Sequence, residues 1–374
     1  MSEANSRENN ENHDRIADLR RQIDTIDAEI IERLVKRAEL AHNVGVAKGG
    51  AVVYRPERER LILERMVQAA RDAGSLLTDK AIAELYQDIV AACRAVEGRP
   101  KVAYLGPQGT FTEMAVISQF GRNIDLIPCS TIDSTFKAVE SATAGFAVVP
   151  VENSTQGSVT RTLDLLFSTP LTIIGEVNVP IAHNLMSQTG KLEDIKRVMA
   201  HPQALAQCRA WLSAHLPNVE QQSCTSNAQA AVEASKDAGV AAIAAMRAAE
   251  LYGLQIAAGC IQDDPRNTTR FLVLAKTPVG HEKTVANKTS LVFSVPNRAG
   301  ALLKALEPLS KHNVSMVHLE SRPARNGAWD YNFFVDMQGH QNDAAVAAAL
   351  ADMAEITSFF KVLGSYPIAA NWAG

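Results

Sequence analysis

The chain has no long apolar run, no excess of positive charge, no paired cysteines and no glycine-rich nucleotide loop. No stretch approaches the roughly 18 apolar residues of a membrane span, so a soluble protein without a membrane partner is expected. Charged residues make up 21% of the 374 and the net charge is only -4, which argues against a phosphate-coating surface and against nucleic acid as a partner. The five cysteines, at 93, 129, 208, 224 and 260, form no CxxC pair; an odd number of dispersed thiols fits a reducing compartment. The opening MSEANSRENNENHD carries no apolar stretch of the secretory kind. Residues 1–13 therefore read as a disordered tail, and the location as cytoplasmic. VAYLGPQGTF follows a strand but is not GxGxxG, and Pro107 removes a backbone donor where a phosphate cradle would want one.

What is present divides into three segments. Residues 14–98 are helical in pattern and imply three helices, with loops around GGAVVY and AGSLLTD. From Lys101 the runs KVAYLG, FAVVPVEN, LTIIGEV, VMAHP, VAAIAA and FLVLAK alternate with helical stretches, which predicts an α/β domain over 101–277 with a largely parallel sheet. After the polar linker KTPVGHEKTVANK, residues 288–370 follow a βαββαβ order, the ferredoxin-like plan.

Cations interrupt the first segment where a core should be. Apolar residues at 16, 19, 23, 26 and 30 define a buried seam, and the seven-residue register through Ile16, Ile23 and Ile30 next meets Arg37 and then Val44. Arg20 and Lys48 flank the same seam. A buried arginine is costly unless an anion meets it, although a single one can also snorkel to water. Arg37 and Lys48 stand about 16 Å apart along the axis, so only long side chains could converge on one ligand. The second helix opens YRPERERLILER, with Pro56 suited to a first turn and Arg58 and Glu59 just inside; the third runs from a Thr78 cap to Glu97.

LRRQIDTIDAEIIERLVKRAELAHNVGVAK followed by YRPERE resembles the all-helical chorismate mutase domain, an intertwined homodimer with sites inside the bundle. The resemblance implies that Arg37, Lys48, Arg58 and Glu59 line one site and that the partner subunit donates Arg20. Chorismate is a dianion that rearranges in one concerted step, so cations that hold its carboxylates and a donor at its ether oxygen suffice. Lys48 is one such donor in the family. The other is a glutamine, where this chain has Glu97, and Glu97 can donate only when protonated. Arg55 and Cys93 stand where some relatives carry an acid and a serine, which puts the ring-hydroxyl contacts in question.

GPQGTF, VPVENSTQGSV, AHPQAL, CTSNAQAA and NTTRF, in that order, resemble prephenate dehydratase. That family has two α/β lobes in the manner of a type II periplasmic binding protein, here 101–178 plus 262–277 and 179–261, with the site in the cleft between them. The resemblance implies that Thr269 stands beside the hydroxyl that prephenate loses with carbon dioxide, and that Arg270 binds a carboxylate as a fixed fork, with Phe271 alongside. Thr110, Glu152, Asn153, Ser154 and Gly157 match pocket loops, with helix capping open as the alternative for Thr110 and Ser154. Thr268 reads equally as a turn residue, and His201 receives no catalytic part.

Residues 289–367 resemble an ACT domain. GALLKAL and HLESRP correspond to its phenylalanine-binding region, implying Gly300, Ala301, Leu302, Glu320, Ser321 and Arg322 as effector contacts where two such domains pair. The combined expectation is a homodimer or larger assembly that binds chorismate, prephenate and phenylalanine and uses no cofactor or metal. Two other readings remain at this point: a chain retaining one of the activities, and a non-catalytic amino acid sensor.

Overall fold

The computed structural model describes residues 2–47, 54–278, 280–281, 284–323 and 331–369. Helix α1 (Ser2–Ala47) is followed by α2 (Pro56–Asp72) and α3 (Asp79–Glu97). Pro56 opens α2, its absent N–H falling where no helical partner exists, and the Thr78 hydroxyl caps α3 by accepting from the Ala81 amide. α1 begins at Ser2, so the segment read as a disordered tail is drawn into the helix. The apolar seam of α1 is open in the single chain: Ile16, Leu19, Ile23, Ile26 and Ile30 are each about half exposed.

The next unit holds two sheets. The first has the order β2-β1-β3-β11-β5, from β1 (Lys101–Leu105), β2 (Asp125–Cys129), β3 (Phe146–Asn153), β5 (Thr172–Pro180) and β11 (Thr268–Ala275), with the short β4 (Gly157–Ser158) on β3. Helices α4 (Phe111–Phe120), α5 (Ile132–Glu140) and α6 (Thr160–Ser168) connect them. The second sheet has the order β10-β6-β9-β7-β8, from β6 (Asn184–Ser187), β7 (Arg197–Ala200), β8 (Glu220–Ser223), β9 (Val240–Ala244) and β10 (Gln255–Ala258), with α7 (Pro202–Gln207), α8 (Arg209–His215), α9 (Asn227–Ala234) and α10 (Met246–Tyr252). The expected largely parallel sheet is replaced by two mixed ones: β11 runs antiparallel to both β3 and β5, and β6 antiparallel to β9 and β10. The cause is the path of the chain, which leaves the first sheet along β5 and must return beside it in the opposite direction along β11.

The C-terminal unit comprises β12 (Asn287–Val295), α11 (Ala301–Lys311), β13 (Met316–Pro323), β14 (Tyr331–Gln338), α12 (Ala344–Ile356) and β15 (Phe359–Pro367), in an antiparallel sheet ordered β13-β14-β12-β15. One face of this sheet packs on α11 and α12. The other joins the core of the first lobe, where Val292, Phe334, Leu363 and Tyr366 lie among Leu163, Leu166, Ile173 and Leu272. β15 crosses β5 so closely that a Cβ on Gly364 would lie 2.1 Å from the Ile173 carbonyl oxygen. The helical bundle is anchored in the same way: Tyr54, just ahead of α2, is buried in the first-lobe core against Phe120 and Phe146. Among the described residues no helix is long and apolar enough to cross a membrane.

Candidate active sites

The helical bundle holds an open cavity of about 260 Å³ lined by Arg37, Arg55, Arg58, Glu59, Cys93, Arg94 and Glu97, with apolar walls from α1, α2 and α3. Four arginines face two carboxylates, an excess of two positive charges, and this balance suits a dianion. Of the residues expected from the sequence, Arg37, Arg58, Glu59 and Glu97 meet here, and Lys48 lies outside the described residues. Arg20 is exposed and stands about 25 Å up the helix axis from Arg37, too far to reach the same cavity. α1 passes close to Glu97 because Gly45 has no side chain; a Cβ there would lie 2.9 Å from the Glu97 Cγ.

Arg94 carried no sequence assignment, yet it is the most buried cation of this cavity, with 6% of its side chain exposed. Its Nη1 donates to the Glu59 carboxylate and its Nη2 to the carbonyl of Phe120, the last residue of α4. The guanidinium carbon lies 5.1 Å from the Tyr54 ring centre and 6.0 Å from that of Phe120. Burial pushes the Glu59 carboxyl up, and Arg94 opposes that shift more than any other neighbour. The signal was available in the sequence: Val90, Cys93, Arg94 and Glu97 share one face of α3, the pattern that singled out Arg37 on α1.

A second cavity, of about 300 Å³, opens between the two lobes. Its wall includes the first residues of several helices: Thr110 caps α4, Ser226 caps α9, and His201 caps α7 through its ring nitrogen. No arginine, lysine, aspartate or glutamate is among its described lining residues. What positive potential it has comes from amides at the ends of α4 and α9. Asn153 and Thr269 lie side by side in the wall. The Asn153 amide oxygen accepts from the Thr155 backbone N–H at 3.1 Å and from the Thr155 hydroxyl at 2.7 Å. A backbone N–H must meet oxygen, which fixes the amide orientation. The Nδ2 group then donates to Thr269 Oγ1 at 2.8 Å and to Asn267 Oδ1 at 2.8 Å. Thr269 thus receives a hydrogen bond at its oxygen, and among the described residues no acceptor takes its proton. Asn267, His183, Gln207 and Ser226 complete this region and were not singled out by the sequence reading. His183 is buried, is 2.8 Å from Gln207 Oε1, and is held below the ordinary histidine pKa by burial, which the Gln207 contact partly offsets.

Other expected site residues stand elsewhere. Successive strand residues point to opposite faces, so Arg270 turns away from the cavity that Thr269 faces. It lies 2.8 Å from Glu176, 2.7 Å from Asp336 and 3.0 Å from the Tyr366 hydroxyl, the last two belonging to the C-terminal domain. Lys288 also binds Glu176, at 2.8 Å. The expected substrate fork is therefore an interdomain ion cluster. Glu152 shares that side, 3.9 Å from Arg270 and 4.0 Å from His318. Phe271 is core, packed with Val177 and Val273. Ser154 straps β11 by accepting from the Thr268 amide at 3.0 Å, and Gly157 turns the loop at φ +76° with open space around it. Thr110 does both jobs expected of it, capping α4 and lining the cavity.

In the C-terminal domain Gly300, at φ +77°, caps α11, whose Ala301 is buried and whose Leu302 packs against the core. Glu320, Ser321 and Arg322 lie on β13, the edge strand. Arg322 reaches the first α/β lobe, donating to Thr160 at the start of α6 at 2.8 Å and lying 3.6 Å from Asp164. At the other end of α6, Lys361 donates to the carbonyls of Leu166, Phe167 and Thr169. Among the described residues no cluster of histidine, cysteine and acidic side chains suits a metal ion.

A helical cavity charged for a dianion, a two-lobed α/β cleft with a poised hydroxyl, and a sheet-and-helix module gripping that cleft from behind define a multidomain enzyme with two separate small-molecule sites. Residues 19–98 match the family described as chorismate mutase type II, 102–279 prephenate dehydratase, and 289–355 the ACT domain. The chain belongs to the bifunctional chorismate mutase/prephenate dehydratase family. It is 49% identical to the protein of that description from Neisseria gonorrhoeae, over 94% of this chain and 96% of that one. It is 42% identical to that from Aquifex aeolicus, over 94% and 98%. The crystal structure of prephenate dehydratase in complex with L-Phe from Arthrobacter aurescens shares 38% identity over 71% of this chain and 90% of that one, with a TM-score of 0.66.

Proposed function

We propose that the helical cavity (unit 14–98) rearranges chorismate to prephenate, that the interlobe cavity (unit 101–277) converts prephenate to phenylpyruvate, and that phenylalanine acts as effector through the C-terminal unit (288–370). The observation that carries the second step is the Asn153 to Thr269 hydrogen bond, which leaves the threonine proton free to meet a departing hydroxyl. As carbon dioxide leaves, its bonding electrons enter the ring and the C–O bond breaks; a donor on that oxygen lowers the barrier. Helix-end amides and uncharged polar groups would hold the carboxylates, since no cation lines the described cavity. In the first step the arginines select the compact conformer of the dianion, and Lys48 would donate to the ether oxygen, with Glu97 standing where the family has its second donor.

Two surfaces favour a dimer: the half-exposed seam of α1 and the edge strand β13, with Met316, Val317 and Leu319 exposed. A second copy over α1 would bring its Arg20 to the cavity this chain's Arg20 cannot reach. Phenylalanine bound near Glu320 to Arg322 would act on α6, which Arg322 and Lys361 hold at its two ends, and so on the preceding segment that leads back to Asn153 at the end of β3. Such coupling requires the effector to favour one of two states. A cytoplasmic location accompanies this reading. The test incubates purified protein with chorismate and follows chorismate, prephenate and phenylpyruvate separately, with and without phenylalanine. Chorismate loss without phenylpyruvate would leave only the mutase, and unchanged velocity at limiting prephenate would remove the effector role.

A further inference from the structure

We infer that Arg94 is a positioning residue of the mutase cavity, holding the Glu59 carboxylate toward the substrate from a seat built by the neighbouring dehydratase lobe. The inference rests on the mutase reading above. Arg94 stands on α3 and Glu59 in the first turn of α2, and each lines the cavity. One guanidinium nitrogen takes the carboxylate, while the other takes the Phe120 carbonyl at the C-terminal end of α4. Helix ends carry unpaired carbonyls and negative potential, so this is a favourable seat for a cation. The flat group also lies over the paired rings of Tyr54 and Phe120, which pack on each other with centroids 4.5 Å apart in the core of the first lobe. Two of the four features that fix Arg94, the carbonyl and the ring of Phe120, therefore come from the neighbouring lobe, and a third, the Tyr54 ring, is the helical unit's own residue buried in that lobe's core.

The consequence falls on Glu59. A buried carboxylate tends to take up a proton, and a protonated Glu59 loses one acceptor for a substrate hydroxyl. The charged groups facing it are Arg37 from α1, Glu57 from its own helix, Arg94 from α3, and Arg55, Arg58 and Glu97 around the same cavity. On its other side Glu59 meets a smaller cavity with Arg60 and, from β5, Glu176. Arg94 donates to it directly, and its place over the Tyr54 and Phe120 rings keeps the cation from swinging away. Arg94 thus acts through Glu59 and not as one more carboxylate clamp.

The experiment uses the full-length protein and its Arg94→Met, Arg94→Lys, Glu59→Gln and Arg94→Met with Glu59→Gln variants. kcat and KM for chorismate are measured from pH 5.5 to 9, with prephenate turnover in the same samples as the control for folding. Arg94→Met is expected to raise KM about tenfold with a smaller change in kcat and to move the acid limb of kcat/KM upward by about one unit. The double variant is expected to be no worse than Glu59→Gln alone, as for two residues acting as one unit. Arg94→Lys keeps the charge and so the position of the acid limb, but loses the seat on α4 and raises KM; if Arg94→Met loses both activities, this variant decides. Multiplying effects in the double variant, or KM unchanged in a folded single variant, would overturn the inference. Absence of chorismate turnover in the parent would instead remove the mutase reading itself.

Discussion

The Nδ2 of Asn153 lies 2.8 Å from the Oγ1 of Thr269, joining residues 116 positions apart at the wall of the interlobe cavity. Because Thr155 occupies the amide oxygen, Asn153 donates and Thr269 accepts. The threonine proton is thereby turned toward the cavity.

Removing that hydroxyl with Thr269→Ala should lower prephenate turnover by about two orders of magnitude or more while chorismate turnover is retained. Asn153→Asp tests the direction of the bond: a carboxylate would accept the threonine proton and withdraw it from the cleft. Both variants should therefore fail in assays of phenylpyruvate formation at saturating prephenate. Near-normal turnover in Asn153→Asp would show that the threonine proton has no such part.

Glu97→Gln puts an amide donor at the cavity position where an ether oxygen calls for one, so the variant should turn over chorismate at least as fast as the parent at neutral pH. A tenfold or greater loss of kcat in a folded Glu97→Gln protein would show that this position has no donor role.

Arg270→Met should read out as lost stability and not as a specific loss of prephenate affinity. It leaves Glu176 and Asp336, both buried, with Lys288 as the nearest remaining cation. Breaking a buried ion pair from one side costs about 3 kcal/mol or more. Chemical denaturation would show the change, and phenylalanine sensitivity should weaken with it because the cluster ties β11 and β5 to the C-terminal sheet.

The stability of the dehydratase unit should decline below about pH 6.5, the ordinary histidine value. His183 is held below that value by burial, so as pH falls the unfolded chain takes up a proton that the folded one refuses. The contribution is complete above 6.5 and is lost as pH drops toward the depressed folded value. His340, lowered by burial and by the stacked His281, adds a similar fall in the C-terminal domain. Thermal unfolding at pH 5.5 and 7.5 should therefore show a smaller difference in His183→Gln than in the parent.

Local pattern made much of this architecture readable. The register that put Arg37 on a buried seam pointed to a charged cavity, and the NTTRF strand mouth marked Thr269. Misplaced residues fail for identifiable reasons. Arg270 was assigned with its neighbour although adjacent strand positions face opposite sides, a rule the sequence alone could have supplied. Asn267 and His183 join Asn153 and Gln207 across contacts 114 and 24 positions long, and no local periodicity encodes such pairings. The return strand β11 reversed the sheet's direction for a topological reason that propensity does not carry. Arg94 was readable as a cation on the inner face of α3, but its partner Phe120 lies beyond the bundle.

The contrast between the two cavities carries into the encounter with substrate. Ligands approaching the arginine-lined bundle feel a field that added electrolyte screens over about 10 Å at 0.1 M, whereas those approaching the cleft meet mainly short-range amide dipoles. Raising ionic strength should thus slow capture at the first cavity far more than at the second, so that brackish conditions would make the opening step of this two-step enzyme its bottleneck.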